Sequence, residues 1–149
     1  MASGTHVWLV LMKAHRTLRA QAVRSIETLD MCFSDFAVLE LLLHKGGPQP
    51  VNTIGRRVDL TSGSITTAID RLEARGFVVR GSDPDDRRAR VVSLTKQGAS
   101  RIRAVFAQHE RAMNEAASGL SSAERDTLAK LLKKLGTTAE ERLEHHVSS

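Results

Sequence analysis

The chain of 149 residues contains one cysteine, no tyrosine, one tryptophan and three prolines, and aromatic residues make up only 3% of it. A lone Cys32 forms no intrachain disulfide and cannot build a cysteine-based zinc site of ordinary make-up, which fits a reducing compartment. With so few aromatic side chains, the core must come from Leu, Val, Ile, Ala and Met, the composition of packed helices rather than of a large β-sandwich. The apolar run Val7 to Met12 has no basic segment before it and is too short to span a bilayer, so a cytoplasmic protein without a membrane partner is expected. A Gly-rich phosphate loop, a metal-ligand motif and a recognisable Ser, His and Asp frame are also missing, and with them the ordinary grounds for expecting an enzyme, a metal or another cofactor.

What is present is 41% hydrophobic and 26% charged, the balance of one compact domain able to bury a core. Lys and Arg number 22 against 17 Asp and Glu, a formal charge of +5 with neutral histidines, which favours an anionic partner.

Helical spacing predicts one long helix from Thr5 to Thr28, carrying Leu11, Ala14, Leu18, Ala22 and Ile26. A second helix begins near Cys32 to Ser34, presents Phe36, Leu39 and Leu43, and ends at Gly46-Gly47-Pro48. Pro48 to Val51 is a short extended piece. Asn52 is then a cap for a brief helix from Thr53 to Val58, and Thr61 or Ser62 caps the next, which stops at Gly76. The period changes there: Phe77 to Arg80 and Ala89 to Leu94 are β-branched runs flanking Gly81 to Arg88, a hairpin with a charged tip. A long helix from Thr95 or Ser100 to about Ala117 follows. Ser121-x-x-Glu124 then makes a capping box for a final helix with Leu128, Leu131, Leu132 and Leu135 on one stripe. Gly136 with Thr137 and Thr138 is expected to bend or interrupt that helix, and the chain to fray from about His145.

The order is helix, helix, short strand, helix, helix, basic hairpin and two long helices, the arrangement of a winged helix-turn-helix. At 100° per residue, Ile65, Ala68, Ile69 and Leu72 share the inner side of the helix beginning at Ser62. Gly63, Ser64, Thr67, Asp70 and Arg71 point away, with Thr66 at the margin. Small residues let such a face sink into a major groove, where hydroxyls and Arg71 reach base edges or phosphates. At the hairpin tip Arg87, Arg88 and Arg90 lie beside Asp83, Asp85 and Asp86, and an arginine on a narrow loop can enter a minor groove.

From Leu29 to Gly98 the sequence resembles the multiple antibiotic resistance regulator (MarR) family of bacterial transcription factors. The resemblance rests on Phe36-x-x-Leu39, on Leu60-Thr-Ser-Gly-Ser-Ile-Thr-Thr-Ala-Ile-Asp-Arg-Leu72, on Gly76-Phe-Val-Val-Arg80, and on Asp86-x-Arg88-x-x-x-Val92-x-Leu94-Thr95 followed by Gly98. It implies a mainly α fold with a small β-hairpin wing: an N-terminal dimerisation helix in residues 1–30, a winged helix-turn-helix lobe in 31–98 and C-terminal dimerisation helices in 99–149. Further implications are a homodimer on a pseudo-palindromic operator in double-stranded DNA and, as the usual mode, a repressor released by a small lipophilic or phenolic effector. The recognition helix would present Ser62, Gly63, Ser64, Thr66, Thr67, Arg71 and Arg75. The wing would present Asp86, Arg87, Arg88 and Arg90, with Arg88 in the minor groove and Asp86 bracing its guanidinium.

Other readings stay open. Trp8, His15, Cys32 and Phe36 are effector-pocket candidates, although Trp8 and His15 better suit a dimer interface or solvent. Cys32 stands where the family has a capping Thr or Ser, with Asp35 at capping-box distance. It suits a small buried residue near the dimer interface better than a redox sensor. Glu40 with His44, and His109 with Glu110, are the groups a metal-responsive relative would use, but Met113 stands where a second histidine belongs, so no metal is expected. A helical dimer that binds protein rather than DNA is the remaining alternative.

Overall fold

The computed structural model describes residues 1–58 and 60–147, with Val147 in backbone only. Helix α1 (Gly4–Glu27) begins where Ser3 Oγ accepts the His6 N–H at 3.2 Å. A proline-free stretch of 24 residues follows, and only Ile26 near its end is buried. The chain then turns through Asp30, whose φ of 55° is left-handed, into α2 (Phe33–Lys45), which closes on Gly46 at φ 72°. An L side chain at Gly46 would be strained, so glycine ends the helix there.

Gln49–Pro50 forms β1, and α3 (Val51–Arg57) starts at once. Asn52 therefore does not cap α3, as its type suggests; it lies in the first turn, with Oδ1 accepting the Thr53 N–H at 2.9 Å. Pro50 is paired with Val91 in the sheet and already has the φ of a residue preceding a helix, so α3 begins before Asn52 can serve. Helix α4 (Ser62–Ala74) is capped by Thr61, whose Oγ1 accepts the Ser64 N–H at 3.2 Å, and buries Ile65, Ala68, Ile69 and Leu72.

The hairpin strands are β2 (Val78–Ser82) and β3 (Arg90–Leu94), antiparallel in the register Val78 to Leu94 and Ser82 to Arg90. The short extended piece before α3 is a third strand: β1 pairs antiparallel with β3, giving the order β1-β3-β2 with Pro50 on an edge, where a missing N–H is tolerated. Helix α5 (Lys96–Ala116) is seated on this sheet through Gly98. A Cβ there would lie 1.9 Å from the Phe77 carbonyl oxygen, so only glycine permits the approach. Thr95 Oγ1 accepts the Gly98 N–H at 2.9 Å and donates to the Gly76 carbonyl at 2.7 Å, tying the helix start to the end of α4.

Two compact units are distinguished, Met1–Met113 and Asn114–Ser149. The first holds the core: Ile26, Leu39, Leu42, Ile54, Ile69, Leu72, Val78, Val92, Ile102 and Val105 are all essentially inaccessible. Each such aliphatic side chain contributes roughly 1.5–3 kcal/mol. In the second unit, the expected capping box opens α6 (Ser122–Val147): Glu124 Oε2 accepts the Ser121 N–H at 2.8 Å, which holds the carboxyl below its ordinary pKa. The expected interruption at Gly136 is absent, because one glycine costs only about 1 kcal/mol against alanine and the helix continues on both sides. His145 and His146 are helical rather than frayed, and residues 148–149 lie outside the described part.

Candidate nucleic-acid interface

The outer face of α4 carries Ser62, Gly63, Ser64, Thr66 and Thr67, all exposed. Thr66 and Thr67 donate their hydroxyl protons to the carbonyls of Ser62 and Gly63, each at 2.9 Å. Their oxygen lone pairs remain as acceptors, the complement of a base amino group. Ser64 Oγ accepts from Thr61 Oγ1 at 2.9 Å and keeps its own proton to donate.

Three arginines frame this face, and each is held. Arg71 Nη2 donates to Asp35 Oδ1 at 2.7 Å and Nε to Oδ2 at 3.3 Å, so α2 grips α4 through a bidentate pair. The same Nη2 lies 3.2 Å from Ser34 Oγ and 3.4 Å from Cys32 Sγ. The hydrogen bond that Arg71 donates to Asp35 raises the Arg71 pKa above its ordinary value, and the guanidinium is permanently charged. Arg75, expected on the DNA face, is the residue after the last turn of α4 and is directed elsewhere. Both its Nη atoms donate to the Asp30 carbonyl at 3.3 Å, and it lies 4.9 Å over the Phe77 ring. Arg80 on β2 bridges Asp70 at 2.5 Å and Glu73 at 2.9 Å, joining the wing to α4 and neutralising two carboxylates beside the polar face. The sequence reading did not identify Asp35, Ser34 or Arg80 as partners of this helix.

The wing tip runs from Asp83 to Ala89 and is closed by the Asp83 N–H to Ala89 carbonyl bond at 3.1 Å. Asp86 does not brace the Arg88 guanidinium. Its Oδ1 accepts the Arg88 backbone N–H at 3.0 Å, because two residues along a tight turn that amide is nearer than the end of a long side chain. Among the described residues no carboxylate pairs with Arg87, Arg88 or Arg90. An open cleft of about 640 Å³ between α3, the start of α4 and the wing is lined by Asn52, Arg56, Ser62, Thr66, Arg88 and Arg90 among others. It brings the wing and α4 to one surface and adds Arg56, which the sequence reading passed over.

The four effector-pocket candidates are not assembled within one chain. Trp8 and Ile26 are separated by about 27 Å of helix, so Trp8 cannot approach Cys32 beyond the helix end. Trp8 and His15 are exposed on α1. Cys32 is exposed in the single chain and makes no side-chain cap for α2; Asp35 is turned to Arg71 instead of closing a capping box. Phe36 is buried in an aromatic cluster, its ring 6.5 Å from Phe106 and 4.9 Å from His109. His109 Nδ1 lies 2.8 Å from Ser25 Oγ, and burial lowers its pKa from 6.5.

The sequence profile of the MarR family matches residues 29–89. The chain is 34% identical over 135 residues to the HTH-type transcriptional regulator MhqR of Bacillus subtilis, covering 91% of this chain and 92% of that one. A probable transcriptional regulator from Pseudomonas aeruginosa has a similar structure, with a TM-score of 0.72 at 30% identity over 87% of this chain and 96% of the other. So has BpsR of Bordetella bronchiseptica, whose DNA binding is regulated by 6-hydroxynicotinic acid: TM-score 0.74 at 25% identity, covering 87% and 92%. The polar outer face of α4, the cationic wing beside it and these likenesses together place the chain in the MarR family, as a DNA-binding transcriptional regulator and not an enzyme.

Proposed function

We propose that the protein is a homodimeric repressor that reads a pseudo-palindromic operator and releases it when a small effector binds. The observation that carries the DNA contact is the shared surface of Ser62, Thr66, Arg88 and Arg90 around one open cleft. Helix α4 enters the major groove with Ser62, Gly63, Ser64, Thr66 and Thr67 toward base edges, Arg71 reaches the backbone, and Arg88 enters the adjacent minor groove flanked by Arg87 and Arg90.

Dimerisation is supported by apolar side chains left uncovered at both ends of the chain. On α1 these include Val7, Trp8, Leu9 and Met12; on α6 they are Leu128, Leu131, Leu132, Leu135 and Leu143. A face of this kind is normally covered by a second copy or another partner. Release by an effector is supported by the regulated DNA binding of the Bordetella relative.

The test is a fluorescence anisotropy titration against a duplex selected by the wild-type chain from random-sequence DNA, repeated from low to high salt. Affinity should fall steeply and linearly on a log–log plot, and sedimentation equilibrium should give twice the chain mass. A salt-independent affinity would favour a helical dimer that binds protein instead.

A further inference from the structure

Asp35 is 2% exposed, sits on α2 and pairs with Arg71 of α4. A carboxylate so buried is tolerated only when paired, and its partner is the one arginine within the span of α4. We propose that Asp35 is a positioning residue for DNA binding, which fixes Arg71 as a phosphate contact and keeps it from reading bases. The proposal rests on the assignment of α4 as the recognition helix.

A guanidinium has five N–H groups. Nε–H and one Nη2–H are taken by the two Asp35 oxygens, and the second Nη2–H points to Ser34 Oγ and Cys32 Sγ. Among the described residues nothing accepts from Nη1, so its two N–H groups are the donors left for an incoming ligand. Each edge that could pair bidentately with a guanine, Nε/Nη2 or Nη1/Nη2, includes an occupied donor, and the remaining Nη1 suits a phosphate oxygen. Arg71 nevertheless remains 45% exposed, within reach of such a ligand. Because its rotamer is fixed on folding, the contact loses little side-chain freedom when DNA arrives, and it sets the register from which Thr66 and Thr67 reach base edges.

The role predicts a sign. Asp35→Asn removes a negative charge near DNA, which by charge alone strengthens binding; loss of positioning weakens it. Measured against the selected duplex, Asp35→Asn should weaken binding about tenfold while Arg71 is present, and should not weaken it in an Arg71→Ala background. Arg71→Ala should itself weaken binding about tenfold, lower the salt slope by about one, and select the same motif from random DNA as the wild type. Ser34→Ala, which removes an acceptor outside the core, should show a smaller loss of about threefold, again only when Arg71 is present. This second variant decides the matter if thermal melts show Asp35→Asn to be unfolded.

The proposal is overturned if Asp35→Asn strengthens binding, or if either α2 variant weakens it equally with and without Arg71. It is overturned equally if Arg71→Ala leaves affinity unchanged or alters preference at a base. Arg88→Ala measured in parallel separates the failures. Loss with Arg88→Ala alone overturns only the Asp35 role, whereas no loss with either arginine variant overturns the DNA interface itself.

Discussion

The arginines of the recognition helix and those of the wing carry the same charge in opposite circumstances. Arg71 is clamped by a buried carboxylate, with Arg75 on the turn before α2 and Arg80 on two acidic residues. Arg87 and Arg88 extend from a loop and Arg90 from the start of β3, and the loop carboxylates of Asp83 and Asp86 bond backbone amides instead. The held group gives up its conformational freedom on folding and contributes to stability and to binding together. The extended group gives up that freedom only when DNA arrives and contributes to binding alone. Substitutions should therefore separate the two regions by which measurement they move.

The strongest way to break the comparison is to remove the platform both regions share. Gly98 lets α5 rest on the Phe77 carbonyl, and Thr95 bonds both the Gly98 amide and the end of α4. Gly98→Ala forces the helix off that carbonyl and should cost about 3 kcal/mol in urea unfolding, with loss of DNA binding as a consequence. An unchanged urea midpoint would mean that the contact is easily relieved.

Next in size is the contrast between Arg71→Ala and Arg88→Ala. Removing Arg71 strands the Asp35 carboxylate in the core; discounted for the half-exposed arginine, the cost is about 2 kcal/mol of stability. Arg88→Ala should leave the urea midpoint within about 0.5 kcal/mol of wild type. It should nevertheless weaken operator binding by about 1–3 kcal/mol across sequences. If both variants move stability alike, the division between held and extended arginines is wrong.

How far this division could be read from the chain depends on the distance between the partners. The inner stripe Ile65, Ala68, Ile69 and Leu72, the glycine stops at Gly46 and Gly76, the Ser121 capping box and the two main hairpin strands all follow from neighbours within a turn or two, and the sequence pattern sufficed for them. The clamp on Arg71 joins residues 36 positions apart, and Asp35 has an equally good local reading as a capping-box residue. Local spacing has no means of choosing between them. Asp86 differs: the resemblance implies a pairing with the Arg88 guanidinium, and the backbone N–H of that same residue takes the carboxylate instead.

A finer test addresses the face between the two arginine sets. Thr67 has donated its proton to Gly63 and offers only lone pairs and a methyl group. Thr67→Val keeps the shape and removes the acceptor, so stability should be nearly unchanged. Preference should relax at one base pair in each half-site by about 1 kcal/mol, measured by selection from random DNA. Selection of the wild-type motif with equal stringency would move base reading to Ser62, Ser64 or Thr66.

The smallest expected effect lies away from both arginine sets, and it separates scaffold from interface by pH. His109 stands between Phe36 and Ser25, and desolvation lowers its pKa below the ordinary imidazole value of 6.5. Above that value the imidazole is neutral in the folded and unfolded chains alike, and the group has no effect on the pH dependence. As pH falls through 6.5 the unfolded chain takes up the proton first, so stability declines until the lower folded pKa is passed, and then levels off. The loss should be a fraction of a kcal/mol, because the ring is only partly buried. Urea unfolding at pH 7.5 and pH 5 should show it in the wild type and not in His109→Asn, while the affinity ratio between wild type and Arg88→Ala should be the same at both pH values. An acid-induced loss that survives His109→Asn would assign it to another group, and a pH-dependent ratio would mean that the wing is coupled to this aromatic cluster after all.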